Sequence, residues 1–165
     1  YFDEEHLILQ GLASFQGVKR RQEVIGEPHG IVIVEDFAHH PTAVELTVQT
    51  MRENYPPKKL IAVFEPRSAT SRRKTFQQDY IKALSGADVV FLPPAFHRDT
   101  EPVEQRFSSE EVIAALKSQG VAAESCQSVD EIVQQIKKVA KSGDVILIMS
   151  NGGFGGIYSK LLAEL

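Results

Sequence analysis

Four short stretches of the sequence concentrate side chains able to do chemistry. "EDFAHHPT" (35–42) places Asp36, His39 and His40 directly before a proline. "EPRSATSRR" (65–73) carries Arg67 and Ser68, then Arg72 and Arg73 followed by Lys74. "PPAFHRDTEP" (93–102) holds Arg98, and "SNGGFGG" (150–156) sets Asn151 before Gly152, Gly153, Gly155 and Gly156. A short carboxylate such as Asp36 can hold a ribose hydroxyl or cap a backbone N–H. Guanidinium forks beside the N–H groups of a helix start make an anion site. Glycines let backbone amides approach a ligand closely.

Each stretch also has a local reading. Asp36 and His40 can tie up neighbouring backbone groups and leave His39 solvated, and the pattern alone does not decide between the two. Arg72, Arg73 and Lys74 read as a solvated helix face. Arg67 differs, because it follows strand-Glu-Pro directly and so falls in the crevice region. The glycine run serves helix–strand packing equally well, and it lacks the spacing of a dinucleotide fingerprint or of a phosphate loop with its lysine. There is no G-x-S-x-G elbow and no cysteine nucleophile with an obvious base. Adjacent histidines rarely ligate one metal, and no Cys or His partner stands at ligand spacing, so a metal site is not expected.

The elements around these stretches alternate. "EEHLILQGLASF" (4–15) has helical periodicity. Strands at about 20–25 and 31–35, joined by a Gly/Pro turn, suggest an antiparallel hairpin. Helices are then expected at 41–54, 72–85, 108–119, 129–141 and from about Gly155 onward. Strands are expected between them at 60–64, 88–92, 121–126 and 144–149. This order predicts one α/β domain over 1–165: a Rossmann-like three-layer sandwich of about six strands, mostly parallel, with one antiparallel N-terminal strand. In such sheets ligands bind outside the carboxyl ends of the strands, where all four stretches lie.

The chain has 165 residues, 42% hydrophobic and 24% charged, with net charge −4, so a nucleic-acid partner is not expected. No apolar run reaches the length of a membrane helix, so a membrane partner is not expected either. The single cysteine, Cys126, excludes an internal disulfide and suits the cytoplasm. The opening "YFDEEH", without methionine, reads as a piece of a longer protein.

"FQGVKRRQEVIG" followed by "EDFAHHPTAVE" resembles the start of the C-terminal domain of the Mur ligases, the ATP-dependent amide-forming enzymes of peptidoglycan synthesis. His39-His40-Pro41-Thr42 looks like the branch acting on UDP-N-acetylmuramate itself. "FEPRSATSRR" and "MSNGGFGGIYSKLL" look most like the recycling members, which attach the tripeptide L-Ala-γ-D-Glu-meso-diaminopimelate. The resemblance runs from about Leu12 to Leu162. It implies N-terminal UDP-sugar and central ATPase domains outside this fragment, and no ligase turnover by the fragment alone. It implies ATP and Mg2+ as cofactors, with Mg2+ bound mainly by the central domain. It implies the partners as well: the protein's own other domains, UDP-N-acetylmuramate and the murein tripeptide. By position, Asp36 matches the family acid at the nucleotide ribose, His39 the following ATP-side position and His40 its neighbour. Arg20 and Arg21 match a basic pair near the interdomain joint. Arg67, Ser68, Arg98, Asn151, Gly152 and Gly153 fall where relatives hold the incoming amino acid. The Asp-Asn-Pro-Arg signature of the diaminopimelate-adding ligase is missing, and "AFHR" stands near its place. The rival inside the family is the L-alanine-adding branch, in which "PHRYTR" is expected where this chain has "PRSATSRR". A rival of another class is a non-catalytic nucleotide- or anion-binding module.

Overall fold

A computed structural model describes residues 5–15, 17–56, 58–96 and 102–165. Among them the order is α1 (Glu5–Ala13), β1 (Glu23–Gly26), β2 (Val32–Asp36), α2 (Pro41–Asn54), β3 (Leu60–Phe64), α3 (Gln77–Leu84), β4 (Val89–Leu92), α4 (Ser109–Ser118), β5 (Ala122–Ser125), α5 (Val129–Val139), β6 (Val145–Met149) and α6 (Ile157–Glu164). Six strands form one sheet in the order β1-β2-β6-β3-β4-β5, with β1 antiparallel to β2 and the other pairs parallel. The expected fold class is the observed one.

Alternation along the strands divides the core. Leu60, Ala62 and Phe64 of β3 and Val145, Leu147 and Met149 of β6 face one layer, where Val44, Val48, Tyr80, Leu84 and Val112 of α2, α3 and α4 pack. Ile61, Val63, Ile146 and Ile148 face the other, under Ile132 and Ile136 of α5 and Ile157 and Leu161 of α6. Strands buried on both faces read as continuous apolar runs, which is why "LIAVF" and "VILIM" were recognisable.

Three elements start two or more residues later than the sequence suggests, each for a backbone reason. β1 starts at Glu23, because Arg20 and Gln22 hold left-handed angles (φ 60° and 50°) that no strand accommodates. α3 starts at Gln77, because residues 68–73 are spent on a serine-capped turn and an extended link before a short 3-10 turn at Lys74–Phe76. α6 starts at Ile157, after Phe154, Gly155 and Gly156 all take positive φ.

Local chemistry fixes the helix starts. Pro41 opens α2, where its absent N–H loses nothing. Ser108 and Ser128 accept from the N–H groups of Glu111 and Glu131 at the heads of α4 and α5. Glu131 also reaches back to accept from the N–H of Gln127. Replacing Ser128 with alanine is therefore expected to lower stability by about 1 kcal/mol. Thermal melting checks this, and Ser128→Gly should lose less.

Candidate functional site

The order β2-β6-β3 brings three loops out side by side. Asp36, Met149 and Phe64 are register partners at the carboxyl ends of these strands. The ladder continues past them: the N–H of Ser150 donates to the Asp36 carbonyl at 3.1 Å, and that of Glu65 to the Met149 carbonyl at 3.0 Å. The neighbouring β4 and β5 loops complete the edge.

Two groups of the predicted residues emerge. The first surrounds Arg67. It lines an open cleft of about 800 Å³ between the loops after β3, β4, β5 and β6, together with Arg72, Phe96, Ser128, Phe154 and Gly155. The Arg67 side chain is 58% exposed, and its Nη1 lies 3.7 Å from Glu65 Oε1. Gly152 sits beneath it: a Cβ at that position would stand 2.8 Å from Arg67 Cδ and 2.9 Å from Nε. Ser150 donates through Oγ to Glu65 and accepts at Oγ from the N–H of Gly152 at 2.9 Å. Ser68 lies outside the cleft lining, where its Oγ caps the N–H of Ser71 at 3.0 Å. Gly153 is exposed with open space around its Cα, and the Asn151 side-chain oxygen is buried without a hydrogen-bond partner among the described residues. Arg98 lies outside the described residues.

The second group belongs to the loop after β2. Asp36 is 3% exposed and engaged within the chain. Its Oδ2 accepts from the N–H of Gln22 at 2.9 Å, and its Oδ1 accepts from the N–H of Ala38 at 2.7 Å and from the Thr47 hydroxyl at 3.5 Å. His39 Nδ1 lies 3.0 Å from the Phe37 carbonyl oxygen. The buried Tyr80 hydroxyl donates to the His39 carbonyl at 2.5 Å, and burial, with Asp79 adding, pushes that phenol far above its ordinary range. His40 is exposed, makes no side-chain cap to α2 and sets its ring edge against Phe76. It borders a separate hollow of about 220 Å³ with Asp79 and Lys82.

Arg20 joins the two groups. Its Nε donates to Glu35 at 2.5 Å, and its Nη2 donates to the carbonyls of Ser150 at 2.9 Å and Gly152 at 2.6 Å. Its guanidinium also lies 5.1 Å from the Phe37 ring centre, with that of Arg21 at 5.6 Å. Partial burial works against the Arg20 charge, but Glu35 and Tyr158 together outweigh it and raise the pKa. Burial, with Glu35 adding, pushes the neighbouring Tyr158 phenol up to about 12.

Sequence reasoning passed over Arg72, which is 6% exposed and donates to the carbonyls of Ser68 and Phe96 while Arg73 and Lys74 stay exposed. The spacing Ser68-x-x-Ser71 was the available signal, since a serine-capped turn there ends any helical reading of the arginines.

Among the described residues, the one group of potential metal ligands is Glu124, Cys126 and Glu131. Burial, then Glu131 and Glu124, pushes the Cys126 thiol up to about 12. A protonated thiol is a poor partner for Mg2+, which takes oxygen ligands, so this group does not fit that ion. Cys126 is expected to resist Ellman's reagent at pH 8 in the folded chain and to react at once in denaturant. Rapid labelling of native protein would contradict this burial.

Residues 20–152 match the family described as "Mur ligase, glutamate ligase domain". The chain is 39% identical over 152 residues to the UDP-N-acetylmuramate–L-alanyl-γ-D-glutamyl-meso-2,6-diaminoheptandioate ligase of Escherichia coli K12, covering 92% of this chain and 31% of that protein. It is 33% identical over 148 residues to the UDP-N-acetylmuramate–L-alanine ligase of Clostridium kluyveri, covering 88% of this chain and 31% of that one. The chain thus spans about a third of the length of these curated relatives. A solved domain from a putative UDP-N-acetylmuramate:L-alanyl-γ-D-glutamyl-diaminopimelate ligase of Haemophilus ducreyi superposes with a TM-score of 0.68 at 37% identity, covering 87% of this chain and 98% of that one.

Proposed function

The chain belongs to the Mur ligase family through its glutamate ligase domain, and from that premise we propose that it is the C-terminal domain of a cytoplasmic ATP-dependent ligase joining UDP-N-acetylmuramate to L-Ala-γ-D-Glu-meso-diaminopimelate in peptidoglycan recycling. The observation that carries the reading is the cleft at Arg67, whose guanidinium rests over bare Gly152 and beside Glu65. The tripeptide bears several carboxylates, which call for guanidinium forks and oriented N–H groups.

In this reading the muramate carboxylate is activated as an acyl phosphate on the other domains, since the chain has no phosphate loop. Arg67 and the 152–155 backbone hold the peptide's carboxylates, so that its free amine meets the acyl carbon. Holding the two reactants together supplies most of what this domain gives to the rate. We assign Asp36, His39 and His40 to the nucleotide side of the closed enzyme. Asp36 Oδ2 takes one donor within the chain and retains a lone pair for a ribose hydroxyl.

The test is substrate choice by the full-length protein carrying this domain, read as phosphate release with ATP and UDP-N-acetylmuramate. The tripeptide is expected to give a kcat/KM at least roughly a hundredfold above that of L-alanine, the scale of losing a hydrogen bond to a charged group. Preference for L-alanine would move the chain to the alanine-adding branch, and inactivity with both would leave a binding module. The isolated 165-residue chain is expected to melt cooperatively and to release no phosphate.

A further inference from the structure

We infer that Arg20 is a positioning residue for the peptide cleft: it fixes the turn after β6 on which Arg67 rests, without touching the peptide itself. This rests on the peptide-side reading of Arg67 given above.

Arg20 lies more than a hundred residues from the turn in sequence, yet its guanidinium ties that turn to β2. Nε is anchored on Glu35 of β2, and Nη2 grips the Ser150 and Gly152 carbonyls. Its own backbone is tied in as well, because its carbonyl accepts from the N–H of Phe37 at 2.8 Å and its N–H donates to Glu23 at 2.7 Å. The residue holds φ 60°, an unfavourable angle for a side chain with a Cβ, so surrounding contacts over-determine its place.

The gripped turn faces Arg67 through two contacts. Ser150 Oγ donates to Glu65, whose other carboxylate oxygen pairs with Arg67. Gly152 passes so close beneath Arg67 that a methyl group would collide with its stem. A shift of this turn therefore moves both the floor under the guanidinium and the carboxylate beside it. Lysine at position 20 would keep the charge but offer no planar fork to reach a carboxylate and two carbonyls together.

The experiment compares four forms of the full-length enzyme: unmodified, Arg20→Lys, Arg67→Ala and the double variant. Arg20→Lys is expected to raise the tripeptide KM roughly tenfold, the scale of a misplaced binding group, while the KM for ATP stays within about twofold. In the Arg67→Ala background the same change is expected to add less than about twofold, because residues acting through one another are not additive. Gly152→Ala, which loses no hydrogen bond, should raise the tripeptide KM in the same way. If Arg20→Lys does not fold, Glu35→Gln carries the same test by loosening the anchor. Fully additive losses, or a lower melting temperature with an unchanged tripeptide KM, would overturn the inference while leaving the peptide cleft standing. An Arg67→Ala enzyme with a normal tripeptide KM would overturn both.

Discussion

Arg67→Ala in the full-length enzyme is expected to weaken tripeptide use by about 2–5 kcal/mol, if the carboxylate pair is desolvated when the domains close. That corresponds to roughly thirty- to several-thousand-fold in kcat/KM. The stability of the domain should hardly change. The Arg67 side chain is more exposed than buried and its separation from Glu65 is long, so the internal pair adds little to folding. Arg67→Lys should fall between the parent and the alanine variant, because it keeps the charge and loses the fork. The Michaelis constants for ATP and UDP-N-acetylmuramate should move little. A loss that falls on ATP, with tripeptide saturation intact, would transfer Arg67 to the nucleotide side and refute its assignment here.

Asp36→Ala is expected to act on two fronts. In the isolated chain it leaves the N–H groups of Gln22 and Ala38 without their carboxylate partner at a buried position. Two such orphaned donors cost about 2–4 kcal/mol. At the slope usual for domains of this size, melting should fall by roughly 5–15 °C. In the full-length enzyme, assayed well below that transition, the KM for ATP should rise as well. Reduced melting with normal ATP kinetics would show that Asp36 only organises the turn after β2.

The two arginines of the β3 loop show what a sequence discloses and what it withholds. Arg67 could be placed because strand, Glu and Pro in succession leave the next side chain at the carboxyl edge of the sheet, whatever the loop does afterwards. Arg72 could not, because its burial depends on Ser68 and Ser71 turning the chain before the helix begins. Arg20 was legible only as part of a basic pair recognised by resemblance. Its grip on the Ser150 turn is a contact across 130 residues, made from a left-handed backbone that periodicity arguments treat as strand. For Asp36, both readings foresaw an acid at a strand end. The structure adds that most of its acceptor capacity is already used by Gln22, Ala38 and Thr47. The strands β3, β4 and β6 were visible because their apolar runs are continuous. Their order was not, since pairing across the sheet depends on helix crossovers that leave no local mark.

That order also decides when the protein can become whole. Val145–Met149 pairs with Val32–Asp36 on one side and Leu60–Phe64 on the other, yet it is the last of the six strands to leave the ribosome. Until it arrives, the N-terminal hairpin and the β3–β4–β5 ribbon are two separate pieces, each with an open apolar edge facing a gap one strand wide. Nascent chains in that state are candidates for pairing with each other or for capture by a chaperone. Synthesis cannot build this domain progressively from one end. A chain stalled before β6 yields two sheets still waiting for the strand they share, and no smaller version of the fold.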